Sequence, residues 1–151
     1  MSINVTILLF AIASAESNGN PHLIGAHGER SAYQMLEITW NQHAKDYGVI
    51  PGDFVADSSN AEIAESRATT HMIWLCKELE KAGMPVTVES LASAWHIGAH
   101  AAIHAALHGE KPAHRGYVER VANLYRDALA KQPSKIPPHL ANMFPQSQPR
   151  D

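Results

Sequence analysis

Glu16 closes a nearly all-apolar stretch, Ile3 to Ala15, and is followed by Ser17-Asn18-Gly19-Asn20-Pro21. A carboxylate at the end of a buried helix loses solvent, and that loss favours its protonated form. A carboxyl held protonated near neutral pH is the general acid that glycosidic cleavage requires. Position alone also admits a solvated helix end with no chemistry. A hydrolytic glycosidase usually needs a second carboxylate, either as nucleophile or as base for water. Glu29, Glu37, Asp53 and Asp57 are candidates, and Glu29 is best placed, in the loop after the apolar run.

Histidine is the other chemical signal. His96, His100, His104 and His108 recur every four residues. On a helix each step advances about 40°, so neighbours share a face while the four together span about 120°. That arc is too wide for one metal ion, and the Glu of an H-E-x-x-H pair is absent. A polar stripe, or histidines bonded to backbone, is the expected reading, with no metal and no cofactor. The chain holds 10 histidines, and protonating all of them would carry the formal charge from −3 to +7. Binding to an acidic surface would then strengthen as pH falls through about 6.5. The single cysteine, Cys76, allows neither an internal disulfide nor a cysteine-based zinc cluster, and its apolar setting reads as an inert core thiol.

Helices must position these groups. Ile3 to Ala15 reads as a buried central helix, stopped by Gly19-Asn20-Pro21. Residues 19–31 read as loop or a small irregular hairpin. Tyr33 to Lys45 reads as a short helix and Gly48 to Ser59 as loop. Ser59 and Glu62 have capping-box spacing, so the next helix starts near Asn60 and ends near Gly83, with Ile63, Ala64, Met72, Leu75 and Leu79 inward. Thr87 caps a helix expected to run unbroken to about His108-Gly109. Tyr117, Val118, Val121, Leu124, Tyr125, Ala128 and Leu129 define the last helix. No segment alternates with period two over a strand length, so the class is all-α or nearly so.

At 151 residues, 45% hydrophobic and 18% charged, the chain has the size of one domain and can bury a core unaided. The expected division is a domain over 1–132 and a Pro-rich tail over 133–151. Twelve basic against 15 acidic side chains leave no excess to neutralise phosphates, which argues against nucleic acid as partner. Val5 to Ala13, followed by Ala13-Ser14-Ala15, raises the possibility of a signal peptide. The Met1-Ser2-Ile3-Asn4 start lacks the basic residues of one, which favours a buried helix. The run is short of the ~18 apolar residues of a membrane span.

Four segments together resemble one family. Ala15-Glu16-Ser17-Asn18-Gly19-Asn20-Pro21 is similar to the E-S-x-x-N-P motif of soluble lytic transglycosylases and related lysozyme-like enzymes. Gly28 to Gln34 resembles their G-A-x-G-L-M-Q segment, with Ile38-Thr39-Trp40 continuing as in many relatives. Leu91 to Gly98 resembles A-x-A-Y-N-x-G, and Gly116 to Val121 resembles Y-V-x-K-V. The pieces occur in family order over roughly residues 5–130. Trp95 and His96 stand where the family has Tyr and Asn, and Glu29 and Ser31 replace an Ala and a Gly.

The resemblance implies a lysozyme-like helical domain with Glu16 as catalytic residue at the end of its buried helix. It implies Ser17, Tyr33, Gln34, Trp95, His96 and Tyr117 as substrate-binding residues and Glu29 as a possible second carboxylate. The implied activity is cleavage of the β-1,4 bond between N-acetylmuramic acid and N-acetylglucosamine in peptidoglycan strands, giving 1,6-anhydro ends with a single Glu as acid then base. A hydrolytic muramidase using a second carboxylate is the alternative, and a non-catalytic glycan-binding relative is another. Such a protein acts in the periplasm or outside the cell, as a phage lysin, a virion enzyme or a secreted effector. A metal-binding or pH-sensing helical protein built on the histidines is the remaining expectation.

Overall fold

The computed structural model describes residues 2–43, 52–110 and 114–131. The fold is all-α. Among the described residues the elements are α1 (Val5–Ser17), α2 (Glu37–Gln42), α3 (Phe54–Asp57), α4 (Ala61–Lys81), α5 (Val88–Ile97), α6 (Ala99–Leu107) and α7 (Arg115–Lys131). The proposed tail, 133–151, lies outside the described residues, as do Lys45 and residues 48–51.

α1 is the central helix. Leu8, Ala11 and Ile12 are fully buried, and Val5, Ile7 and Leu9 nearly so. Each large aliphatic side chain removed from water stabilises the fold by about 1.5–3 kcal/mol. α1 packs on α7 and α4, and α5 packs on α7, α6 and α4. Asn4 caps α1 by accepting from the Ile7 N–H at 3.1 Å, while its own N–H donates to the Tyr125 hydroxyl at 3.0 Å. The start of the central helix is therefore tied to α7. Its end is set by Asn18 in the left-handed conformation, φ 58°, a conformation Asn tolerates at helix C-termini. Among the described residues no helix is long and apolar enough to cross a membrane.

The segment after α1 is a small hairpin. Arg30 and Met35 exchange backbone hydrogen bonds of 3.0 and 2.9 Å in an isolated antiparallel bridge. Ser31 and Gln34 both have positive φ, 75° and 50°. Two left-handed residues cannot continue a helix, so the helix expected from Tyr33 starts only at Glu37.

Three other expectations are corrected. The loop expected over Gly48 to Ser59 contains α3, whose N-cap is Asp53, accepting from the Val55 and Ala56 N–H groups at 3.0 and 3.2 Å. The cap of α4 is Asn60, accepting from Ile63 N–H at 3.1 Å, and not a Ser59 capping box. The helix expected from Thr87 to His108 is two helices, because Gly98 adopts φ 90°, ψ 153° between α5 and α6. Thr87 does cap α5, in a reciprocal capping box with Ser90.

Candidate functional site

The end of α1, the hairpin, α2, α4, α5 and the start of α6 enclose an open cleft of about 710 Å³. Glu16 reaches it from α1, Glu29 and Gln34 from the hairpin, and Trp95 and His96 from α5. These positions are up to 80 residues apart, and the packing of α1 against α7 and α5 against α7 brings them together.

Glu16 has a side chain only 18% exposed. Burial raises its pKa above the ordinary carboxylate value, and the negative charge of Glu29 adds to the rise. The Tyr117 hydroxyl works against both by donating to Glu16 Oε1 at 2.7 Å. Burial prevails, so the carboxyl is biased toward its protonated form, with a donor ready when it ionises. His96 Nδ1 stands 4.0 Å from the same Oε1. Its ring stacks on Tyr117, with centroids 4.1 Å apart, and meets His114 edge-on at 4.7 Å. Burial and the neighbouring His114 lower its pKa, which keeps the imidazole neutral in neutral solution.

Glu29 has the opposite electrostatics. Its own backbone N–H and that of His27 hold its pKa below the ordinary value; His27 N–H donates to Oε2 at 2.9 Å. Two carboxyls thus face one cleft with their proton affinities pushed apart. Gly25 makes room for this arrangement, since a Cβ there would collide with the Glu29 carboxylate and lie 2.8 Å from Gln34 Oε1.

Gln34 lines the cleft, but its amide nitrogen is already engaged, donating to the Leu23 and Ser31 carbonyls at 2.9 Å each. It fixes the hairpin in front of Glu16. Ser17 and Tyr33, expected to touch substrate, do not line the cleft. Ser17 Oγ is buried, donating to the Ala32 carbonyl at 2.6 Å and the Ala13 carbonyl at 3.1 Å in a shared bond. It fastens the hairpin to the end of α1. Tyr33 is a core residue, 7% exposed, and burial raises the pKa of its phenol. Tyr117 is half-buried and outside the cleft lining, and it reaches the cleft through its bond to Glu16.

Of the other carboxylates, Asp53 is spent as a helix cap, and neither Glu37 nor Asp57 lines the cleft. The break at Gly98 dissolves the histidine ladder. His96 belongs to α5, His100 lines the cleft from α6, and His104 stacks on His108 at 4.1 Å with the His108 ring nitrogen 2.8 Å from the His104 carbonyl. Among the described residues no group of three His, Cys, Asp or Glu is disposed to hold a metal ion. Cys76 is half-buried, and burial raises its thiol pKa.

On the α4 side the sequence leaves Trp74, like Trp40 and Trp95, open between stacking on a sugar and filling the core, and gives no signal at His71 alone. His71 and Trp74 line it. His43, His71 and Trp74 lie nearly parallel, with interplanar angles of 16° to 29°, and Trp95 meets His71 edge-on at 5.1 Å. The three-residue step from His71 to Trp74 was the available signal, and it is indistinguishable from ordinary helix-face spacing. Comparison with protein-family models, curated proteins and solved structures gave no match to this chain.

Proposed function

We propose that this protein is a glycan-cleaving enzyme that cuts the β-1,4 bond between N-acetylmuramic acid and N-acetylglucosamine, with Glu16 as the catalytic acid. The observation that carries the reading is the Glu16 carboxyl. It is desolvated at the end of α1, bonded to Tyr117 and facing an open cleft of about 710 Å³. The E-S-x-x-N-P resemblance around Glu16 supplies the bond type.

In the transglycosylase form, Glu16 gives its proton to the glycosidic O4 as the C1–O4 bond breaks. The C6 hydroxyl of the muramic acid then bonds to C1, and its proton returns to the Glu16 carboxylate. Burial serves the first half by loading the proton. The Tyr117 hydrogen bond serves the second by stabilising the carboxylate between the two transfers. His96, neutral and 4.0 Å from Glu16, adds no charge that would strip the proton early.

A hydrolytic reading is favoured by one observation. Glu29 is held ionised in the same cleft and acts electrostatically on Glu16. A protonated and an ionised carboxyl facing one cleft are the pair that hydrolysis uses. Mass spectrometry of products from purified peptidoglycan separates the readings. Anhydro ends indicate transglycosylation, and reducing ends carrying oxygen from labelled water indicate hydrolysis. Binding without any product indicates a non-catalytic glycan-binding protein.

A further inference from the structure

The cleft extends past the acid. Beyond Trp95 its wall is built by α4, from a part of the chain that none of the four motif segments covers. His71 and Trp74 line this wall. Behind them His43 is 4% exposed and stacks on Trp74 with centroids 4.6 Å apart. His43 Nε2 and His71 Nδ1 are 3.4 Å apart, within hydrogen-bond reach. The rings are thus fixed by one another before any ligand arrives. Preorganised aromatic surface of this kind binds without the entropic cost of ordering side chains.

We propose that Trp74 and His71, braced by His43, form a second saccharide-ring subsite on the α4 side of the cleft, and that it takes an N-acetylated hexosamine of the glycan strand. The inference rests on reading the cleft as a glycan site and extends it to a residue pair with no role in that reading.

Three properties select a sugar ring. Indole presents a broad apolar face with one polar edge, which suits the apolar face of a pyranose. The wall carries no charge in neutral solution, because burial and the adjacent His43 push the His71 pKa down to about 4. An anionic ligand therefore finds no cation here, and Glu29 across the cleft repels it. Thr39 and Gln42 of α2 also line the cleft and offer a hydroxyl and an amide. Those are the groups that bond to sugar hydroxyls and to an N-acetyl group. Trp95 links this wall to the acid, since it touches His71 and is followed in the chain by His96.

The test titrates the full-length Glu16→Gln protein with N-acetylglucosamine oligomers of two and of four rings. The indole N–H resonances of Trp40, Trp74 and Trp95 are followed by NMR. Trp40, 2% exposed and outside the cleft wall, is the internal control. The tetramer is expected to move Trp74 and Trp95 and to leave Trp40 in place. Trp74→Ala should weaken tetramer binding about 3- to 10-fold, the size of one aromatic stacking contact. Trp74→Phe, which keeps a ring, should retain most of the affinity. Tetramer binding with an unmoved Trp74 resonance overturns the subsite even if Trp74→Ala fails to fold. Glycan cleavage by the wild type together with that result overturns the subsite alone. Absence of both cleavage and binding at any length overturns the glycan reading as well.

Discussion

The two sides of the cleft put one physical effect to opposite ends. On the α1 side, burial pushes the Glu16 pKa up; on the α4 side, burial pushes the His71 pKa down, to about 4. Both groups are driven toward the uncharged state, one by keeping a proton and the other by losing it. Their partners differ. Glu16 has a phenol that donates to it and stabilises the carboxylate whenever the proton leaves. His71 has a second imidazole beside it, and a charge on that ring opposes the protonation of His71. Desolvation alone makes a group inert. Desolvation with a strong donor to the charged form makes a group that can cycle, and Tyr117 is that donor for Glu16.

Glu16→Gln is the strongest test of that contrast. General acid–base help is worth about 10²–10⁴-fold, or roughly 3–5 kcal/mol, so cleavage should fall by at least the lower figure. Stability should move the other way. A carboxyl whose folded pKa is raised supports the fold below its unfolded pKa and loses that support as pH rises through the folded value. The variant should therefore gain on the wild type in urea denaturation as pH rises above the ordinary carboxylate value. Near-normal cleavage by Glu16→Gln would end its assignment as the acid.

The contrast also explains what was legible in the sequence. The burial of Glu16 could be read because it ends one apolar run, although position alone admitted a solvated helix end as well. Buried α1, the capped start of α5 and the periodic α7 were legible for the same local reason. His43, His71 and Trp74 join Trp95 because α2, α4 and α5 pack around one opening; in their own segments the two histidines carry no signal, and Trp74 reads as core as readily as sugar platform. Ser17 and Tyr33 lie away from the cleft lining because adjacency along a motif is not adjacency in space. One fastens the hairpin and the other fills the core. Gly98 was hidden because apolar periodicity continues straight across it.

The next effect in size belongs to His71. Its folded pKa lies below its unfolded value of 6.5, so the unfolded chain binds more protons between about pH 6.5 and 4. The full contribution is present above 6.5 and is lost as pH falls through that window, by up to about 3 kcal/mol. His71→Phe keeps the ring and removes the proton site. The difference in unfolding free energy between wild type and variant should shift over that window and stay flat above it. Parallel pH curves for the two proteins would mean that His71 is not held neutral by the fold, and the distinction between the two sides would lapse.

Tyr117→Phe tests the partner itself. It preserves the ring under His96 and removes the donor to Glu16. A hydrogen bond to a charged group is worth about 1.5–3 kcal/mol, and in the proposed reaction Glu16 is charged during only part of the cycle. A loss of roughly tenfold in kcat is expected, with the alkaline limb of the pH profile displaced upward as Glu16 holds its proton more firmly. An unchanged limb would show that the phenol only packs.

Gly98→Ala carries the smallest effect and asks what holds Trp95 and His96 where the two sides meet. Ala is the better helix former by about 1 kcal/mol, so a break that exists only because glycine permits it should close. α5 and α6 would then fuse, the protein would gain stability, and His100 would swing away from the cleft. A break imposed by packing predicts the reverse. A Cβ at Gly98 meets no atom within 4 Å, yet φ of 90° with ψ of 153° is a region kept almost entirely for glycine and costs an L residue about 1 kcal/mol or more. The packing of α5 on α7 and of α6 on α5 and α4 favours this second outcome. Tm should fall by about 3–5 °C, with cleavage below the transition unchanged because α5 keeps its own contacts. A rise in Tm with altered cleavage would show that glycine, and not the surrounding helices, sets the angle at which α6 meets the cleft.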